Sequence, residues 1–531
     1  MASRFIGMTL KKTNNAHMNI KNILHGLILI SIAFSAKSQN SGNQFFSSSQ
    51  IHTIKITSSL SIDQFYDSLS YYKDQASLTN DNTYIKVDVD IDGTTIQDIG
   101  IRMKGNSSYN TESKKKSLKL SFDEYIDDQE YDGMGTLNLN NSMWDPTLMR
   151  EKVTLDFMNE IGVYAPRCTY ANVYLNNILW GLYSTVEQID KKYLNTRIGE
   201  NDGNLFKSGD DGGEFTWYGN NQNDYENYFK LKTNDSLNDW SDLINLIDVI
   251  NNTAPLNYSS TLETVFNSNS FIKYWAVCNL LTNLDSYLES TRNFYIYHNL
   301  LTDKFDWIAW DVNESFGVFS SMNYPNTFEY PLDASVGRVL IDKLINIATY
   351  KDQYTDYLYN LNSNYVGTNW LNNKIDSIYS IIKPSVYADT LKMFTNQNFE
   401  DNVDTTVTAT DMFSKNIPGL KEFINKRFIN MNQQLMAIGY PSAIHEQIMD
   451  DAIFVFPNPS TDYIIIYQNE KTNIENYLEI YDITGQKVLS HFLTNNIEYL
   501  NINFLHTGLY SYKIDNTNKI LKTGTLLLKP N

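Results

Sequence analysis

Hydrophobic and polar positions alternate with a period of two through the first part of the chain and with a helical period through most of the middle. Residues 51–57 alternate as a strand, and Ser61 followed by Gln64 offers a capping box for a short helix. Residues 84–92 form a strand whose outer face carries Asp88, Asp90 and Asp92, running into an Asp92-Gly93 hairpin turn with residues 100–104 as the returning strand. Next, Lys116, Leu118, Leu120 and Phe122 alternate with Ser117, Lys119 and Ser121. Asp145 and Pro146 read as the cap and first turn of a helix whose apolar face is Met149, Val153, Phe157 and Ile161, stopped by Gly162. Two further strands, 169–175 and 179–187, are joined by an Asn176-Asn177 turn.

From Asp239 the period becomes helical, with Leu243, Ile244, Ile247 and Ile250 on one face and a second helix over 271–284. Two aromatic-rich runs, 293–297 and 305–310, interrupt it as a hairpin joined by the turn segment 299–303. Helices resume at 336–361, 374–396 and 420–438. The pattern predicts an α+β class: an antiparallel sheet lobe with one inserted helix, then a helical lobe, with ligands favouring the cleft between them. The main domain is expected over 50–438, a polar linker over 439–452, and a small β-sandwich over 453–531 built from strands at 463–467, 477–481, 508–514 and 520–527.

The N-terminus changes the picture of where the chain goes. Lys11, Lys12 and Lys21 precede an apolar run at 23–34 and the small-residue stretch at 36–38, which describes a secretory signal peptide over 1–38, with Met18 an alternative start. No later segment has the unbroken apolar length of a transmembrane helix, so none is expected in the mature chain. The net charge of -19 over 531 residues argues against a nucleic-acid partner, which would need a basic face. Seven histidines are spread thinly, leaving little material for histidine triads or zinc sites. Cys168 and Cys278 lie far apart in apolar surroundings and read as buried free thiols rather than a bridge.

Chemistry concentrates between residues 283 and 317. Asp285 enters the predicted hairpin and Asp311 leaves it, with Asn283, Asn293 and Asn313 nearby. Two carboxylates with carboxamides at the mouths of a hairpin make a hard-oxygen site of the kind magnesium prefers when it also holds phosphates. The same residues equally serve as caps of turns. The Asp88, Asp90, Asp92 series matches the opening of a calcium loop only in part, since Ile99 stands where a bidentate glutamate belongs.

Together these residues carry a resemblance. Gly100, Arg102, Lys104 and Gly105 to Ser108; Lys116 to Phe122; Met149 to Lys152; Ala165 to Arg167; Trp180 to Tyr183; Asn283, Asp285 and Asn293; and Trp310, Asp311 and Ser315 to Gly317 resemble, in order, the CotH kinase family. That family is understood as atypical, secreted or surface protein kinases that move the ATP gamma-phosphate to serine or threonine. The resemblance implies a two-lobed kinase-like domain with ATP and Mg2+ as cofactors and a secreted or surface protein as substrate. It implies Asp285 as the catalytic carboxylate, and Asp311 as metal ligand with Asn293 and Asn313. Arg102, Lys104 and Lys119 become phosphate-binding cations with Glu151 holding one of them, and Trp310 or an aromatic near Tyr183 stacks on adenine. Chain order agrees with kinase chemistry. Neither a Gly-x-Gly-x-x-Gly loop nor a Walker A sequence is present, so phosphates fall to side-chain cations and the turn at 105–108. Many family members carry an aspartate where Asn313 stands, so this chain offers that ligand without charge.

Residues 453–531 resemble the C-terminal sorting domain of type IX secretion, through Phe456 to Pro459, Ile480 to Val488, and Thr507 to Tyr510 with Lys522 and Lys529. This implies the type IX machinery as a partner and a secreted or surface location. A non-catalytic surface binding or adhesion protein that keeps the fold is the alternative, for which an aromatic fraction of 13% with 37 tyrosines supplies material.

Overall fold

The computed structural model describes residues 40–79, 82–110, 113–334, 337–409, 415–441, 453–456, 460, 462–467, 476–495, 497–516 and 520–529. The predicted signal peptide and most of the predicted linker lie outside the described residues, as do Pro457 to Pro459 of the tail.

Seven strands form a closed barrel: β1 (His52–Thr57), β2 (Ile85–Ile91), β3 (Thr94–Met103), β4 (Leu118–Ser121), β5 (Thr136–Asn140), β6 (Cys168–Leu175) and β7 (Ile178–Glu187). Inward positions alternate as the period-two pattern requires, with Ile54, Ile56, Val89, Ile91, Ile99, Ile101, Leu120, Leu137, Leu139 and Val173 filling the interior. Both predicted tight turns form: Asp92 and Gly93 take φ of 52° and 89°, Asn176 and Asn177 take 46° and 67°, the left-handed pair that a two-residue hairpin needs. Ser61 and Gln64 close the expected capping box at 3.2 and 3.4 Å, but the helix it opens, Ile62–Thr79, runs for 18 residues rather than a few. The expectation of a two-lobed kinase-like domain with an antiparallel sheet lobe is corrected by one pairing. β1 runs parallel to β6, with His52 opposite Ala171, and this long-range contact closes the ring. Alternation within a strand carries no information about such a partner.

The inserted helix spans Arg150–Glu160, starting five residues later than the Asp145-Pro146 signal, although Asp145 Oδ2 still accepts from Arg150 N at 2.7 Å. It packs on the outer face of β6 and β7, where Cys168, Tyr170, Leu182 and Val186 join the second, larger core. That core also takes a four-stranded sheet in the order β11-β10-β8-β9: β8 (Leu205–Ser208), β9 (Phe229–Leu231), β10 (Phe294–Asn299) and β11 (Lys304–Ala309). The predicted hairpin is β10 and β11, while β8 and β9 were not foreseen. Around it lie helices Ser241–Asn252, Ser268–Leu280, Ala348–Leu361, Trp370–Ala388 and Leu420–Ala437. The single helix expected over 336–361 is two, broken after Val339–Ile345, and that expected over 374–396 ends at Ala388.

Three buried basic residues stitch distant segments together. Lys115 meets Asp389 at 2.6 Å, both fully buried, and Asp389 also accepts from Leu182 N at 3.0 Å. Gly181, at φ 136°, permits this, since a Cβ there would come within 2.7 Å of the Asp389 carboxylate. Arg150 bridges Asp145 at 2.5 Å to Asn402 at 3.0 Å. Arg427 donates to Asn279 Oδ1 at 2.8 Å and to Tyr330 O at 2.6 Å. Cys168 and Cys278 are free and buried. Among its described residues the tail has a three-stranded and a four-stranded sheet and a hydrophobic cluster of its own. No described helix is long and apolar enough to cross a membrane.

Candidate active site

The barrel's outer face and the second sheet supply the two sides of the site. On the barrel, Arg102 of β3 is in register with Lys119 of β4, and Lys119 with Asn138 of β5, so these polar groups share the face opposite the apolar interior. Lys104 lies just past β3, where its ammonium donates to Asn138 Oδ1 at 3.1 Å. Glu151, buried on the first turn of its helix, accepts from Asn140 Nδ2 at 2.7 and 3.0 Å. Thus Lys104 and Glu151 are each held by an asparagine of β5, two positions apart, and not by direct contact with each other.

Asp311 follows β11 with φ of 51°, a left-handed conformation unusual for a side-chain-bearing residue. Thr282, Thr291, Asn293 and Phe316 are also left-handed, with φ between 44° and 61°, so strained backbone gathers around this passage. Gly317 completes the turn at φ 70°, and a Cβ there would meet Thr327 Oγ1 at 2.4 Å. The Asp311 carboxylate is exposed, and among the described residues it makes no ion pair within 4.0 Å and accepts no hydrogen bond. Asp285 is half-buried, and its Oδ2 accepts from Asn293 Nδ2 at 2.8 Å, the same amide that bonds the Asp285 carbonyl at 2.9 Å. Asn293 therefore fixes Asp285 in place.

Electrostatics tie these groups into one neighbourhood. Burial, then the Asp311 charge, raises the Asp285 carboxyl above its ordinary range. Burial first and Asp311 next push Glu151 up to about 7. Burial depresses Lys104 to about 8 against the attraction of Asp311 and Glu151. Lys119 is likewise pushed down to about 8, by burial and then by Arg102 and Lys104 beside it. Asp311 is thus the common neighbour of Asp285, Glu151 and Lys104.

The remaining expected residues take less central places. Arg102 lies over the Tyr84 ring at 5.3 Å and donates to its neighbour's carbonyl, Met103 O, at 3.1 Å. Asn313 Nδ2 reaches Met143 O at 3.5 Å. Trp310 is buried, and the ammoniums of Lys104 and Lys207 stand 5.6 and 5.9 Å from its ring centroid, which leaves little ring for a base. Tyr183 is fully buried inside the barrel wall and offers no face either. Asp88, Asp90 and Asp92 serve the hairpin: they accept from Asp98 N at 2.9 Å, Gly93 N at 3.1 Å and Thr53 N at 2.8 Å.

Two further neighbours of Asp311 carried no signal in the sequence. Lys207 on β8 faces Asp311, and no sequence signal marked its strand. Glu314 is buried, feels both Asp285 and Asp311, and is neutralised by Lys415 at 3.1 Å. It stands in the sequence inside the 311–317 run, where nothing in the local pattern separates it from a turn residue. Among the described residues no three Asp, Glu, His or Cys side chains form a ready metal cage. The arrangement is instead one of carboxylates and lysines that each feel the charge of Asp311.

The CotH kinase protein model matches residues 101–431 of the 531. The chain belongs to the CotH kinase family. Inner spore coat protein H of Bacillus subtilis (strain 168) is 24% identical over 311 residues, covering 58% of this chain and 83% of that protein. The invasins CotH2 and CotH3 of Rhizopus delemar are each 24% identical over 283 residues, 49% of this chain, which spans less than half (46%) of their length. The family's matching stretches divide physically: Arg150 of the Met149 to Lys152 run and Gly181 of the Trp180 to Tyr183 run secure packing, whereas Lys104, Glu151 and Asp285 each feel the charge of Asp311. Residues 454–528 match the secretion system C-terminal sorting domain. That tail assigns the chain to type IX secretion and so to the medium or the cell surface.

Proposed function

We propose that the CotH domain is an atypical protein kinase that moves the ATP gamma-phosphate to serine or threonine of a secreted or surface protein. The observation that carries this reading is the convergence on Asp311 of a carboxylate fixed by an asparagine, a depressed lysine and a buried glutamate. Asp285, steadied by Asn293 and raised in proton affinity, orients the acceptor hydroxyl and takes its proton. Lys104, Lys119 and Arg102 offset phosphate charge; Asn138 sets the position of Lys104, and the Glu151 charge favours its protonated form.

Magnesium fits the donors present: it binds through one or two carboxylates plus phosphates rather than a full protein cage, and Asp311 is a carboxylate with no hydrogen-bond or ion-pair partner among the described residues. Asp311, with Asn293 and Asn313, would hold it. When bound it neutralises charge on the phosphate oxygens. Trp310 contributes as the surface beneath Lys104, and its edge is what remains for the nucleotide.

A second reading, a surface binding protein without chemistry, draws on the names of the relatives, one a spore coat protein and two called invasins. Thermal unfolding separates the two. ATP with Mg2+ at a hundredfold excess over Kd stabilises a true site by about 2.7 kcal/mol. The kinase reading expects a higher melting temperature in wild type and none of that rise in Asp311→Asn. Identical curves with and without nucleotide leave the binding-protein reading standing.

A further inference from the structure

The cations assigned above all come from the barrel, yet one more approaches Trp310 and Asp311 from the second sheet. Lys207 lies on β8, opposite Tyr295 of β10. Its ammonium stands 5.9 Å from the Trp310 ring centroid and 5.8 Å from that of Tyr295. Lys104 stands 5.6 Å from the same Trp310 ring, so one indole is shared by lysines from two different sheets. Lys207 is half-buried, and among the described residues it has no carboxylate within 4.0 Å.

Two ammoniums partly withdrawn from water beside one ring repel each other, and the Lys207 charge helps to depress charging at Lys104. Buried charges are ordinarily paired, and among the described residues neither lysine has an ion-pair partner within 4.0 Å. Asp311 attracts both, but it is exposed and lies beyond salt-bridge distance. What such a pair lacks is an anion with several oxygens, able to face both sheets at once.

We propose that Lys207 is a phosphate-binding residue and that, with Lys104, it forms a two-lysine clamp on an oligophosphate across Trp310. It supplies from side chains what a glycine-rich loop supplies from backbone amides elsewhere. The identity of the ligand as a nucleotide triphosphate rests on the kinase reading, but the clamp itself requires only the phosphate chain.

Titration of the full chain with inorganic tripolyphosphate, and separately with ATP and Mg2+, tests it by calorimetry. Losing a charge-assisted contact weakens binding by about tenfold or more, so Lys207→Gln and Lys207→Met are expected to bind both ligands at least that much more weakly. Lys207→Arg retains most of the affinity. Lys230→Gln serves as control, because Lys230 is in register with Lys207 but its ammonium is engaged by Glu226 O at 2.6 Å. Wild-type affinity for tripolyphosphate in both Lys207 neutral variants, or no tripolyphosphate binding by wild type, overturns the clamp. Binding that depends on Lys207 in a protein that transfers no phosphoryl group upholds the clamp and removes the kinase reading instead.

Discussion

Glu151 shows how a single side chain reports on the site. Burial and the facing Asp311 raise it from 4.5 to about 7. Its folded-state proton affinity exceeds that of the unfolded chain, so between those values folding takes up a proton and stability falls as pH climbs towards 7. Glu151→Gln can still accept from Asn140 but never carries the charge. Its melting temperature, measured from pH 5 to 8, should gain on wild type as pH rises, by about 2–4 °C at the upper end, while phosphoryl transfer is lost. A constant difference across that range would mean that Glu151 is not a strained charge. The lysines give the opposite limb. Lys104 and Lys119, pushed down to about 8, are cationic only below it. ATP affinity should therefore decline above pH 8, and in Lys104→Arg that decline should move to higher pH, because a guanidinium stays charged.

Among elements, the buried pair Lys115 and Asp389 joins the start of β4 to the end of helix Trp370–Ala388. Asp389→Ala would leave Lys115 buried without a counter-charge, a change that costs about 3–5 kcal/mol, and a lower urea midpoint with unchanged slope is the expected result. No shift in midpoint would mean that the pair does not hold the barrel to the helices. The legibility of the chain follows the same division between local and distant. Asp92-Gly93, Asn176-Asn177 and the Ser61–Gln64 box were readable because the physics of turns and caps lies within a few residues. Barrel closure through His52 and Ala171, and the reach of Asp389 into β7, depend on partners more than a hundred residues away and left no periodic trace. Likewise Asp285, Asn293 and Asp311 stood together in sequence at one hairpin, whereas Lys207 joins them only because β8 pairs with β10.

At the scale of the molecule, a chain of net charge -19 keeps a cluster of lysines near Asp311, between a closed barrel and a mixed helical domain that are followed by an export tail. Long-range repulsion of an anionic ligand by the rest of the surface is screened within about 8–10 Å at physiological salt, so the local lysines decide whether phosphate is admitted. The most direct measurement is phosphoryl transfer from gamma-labelled ATP with Mg2+ to the protein itself or to a serine-rich acceptor, comparing wild type with Asp285→Asn and Asp311→Asn. Label in wild type and its loss in both variants, each still folded, is the predicted result; equal label in all three, or none in wild type, would contradict the account.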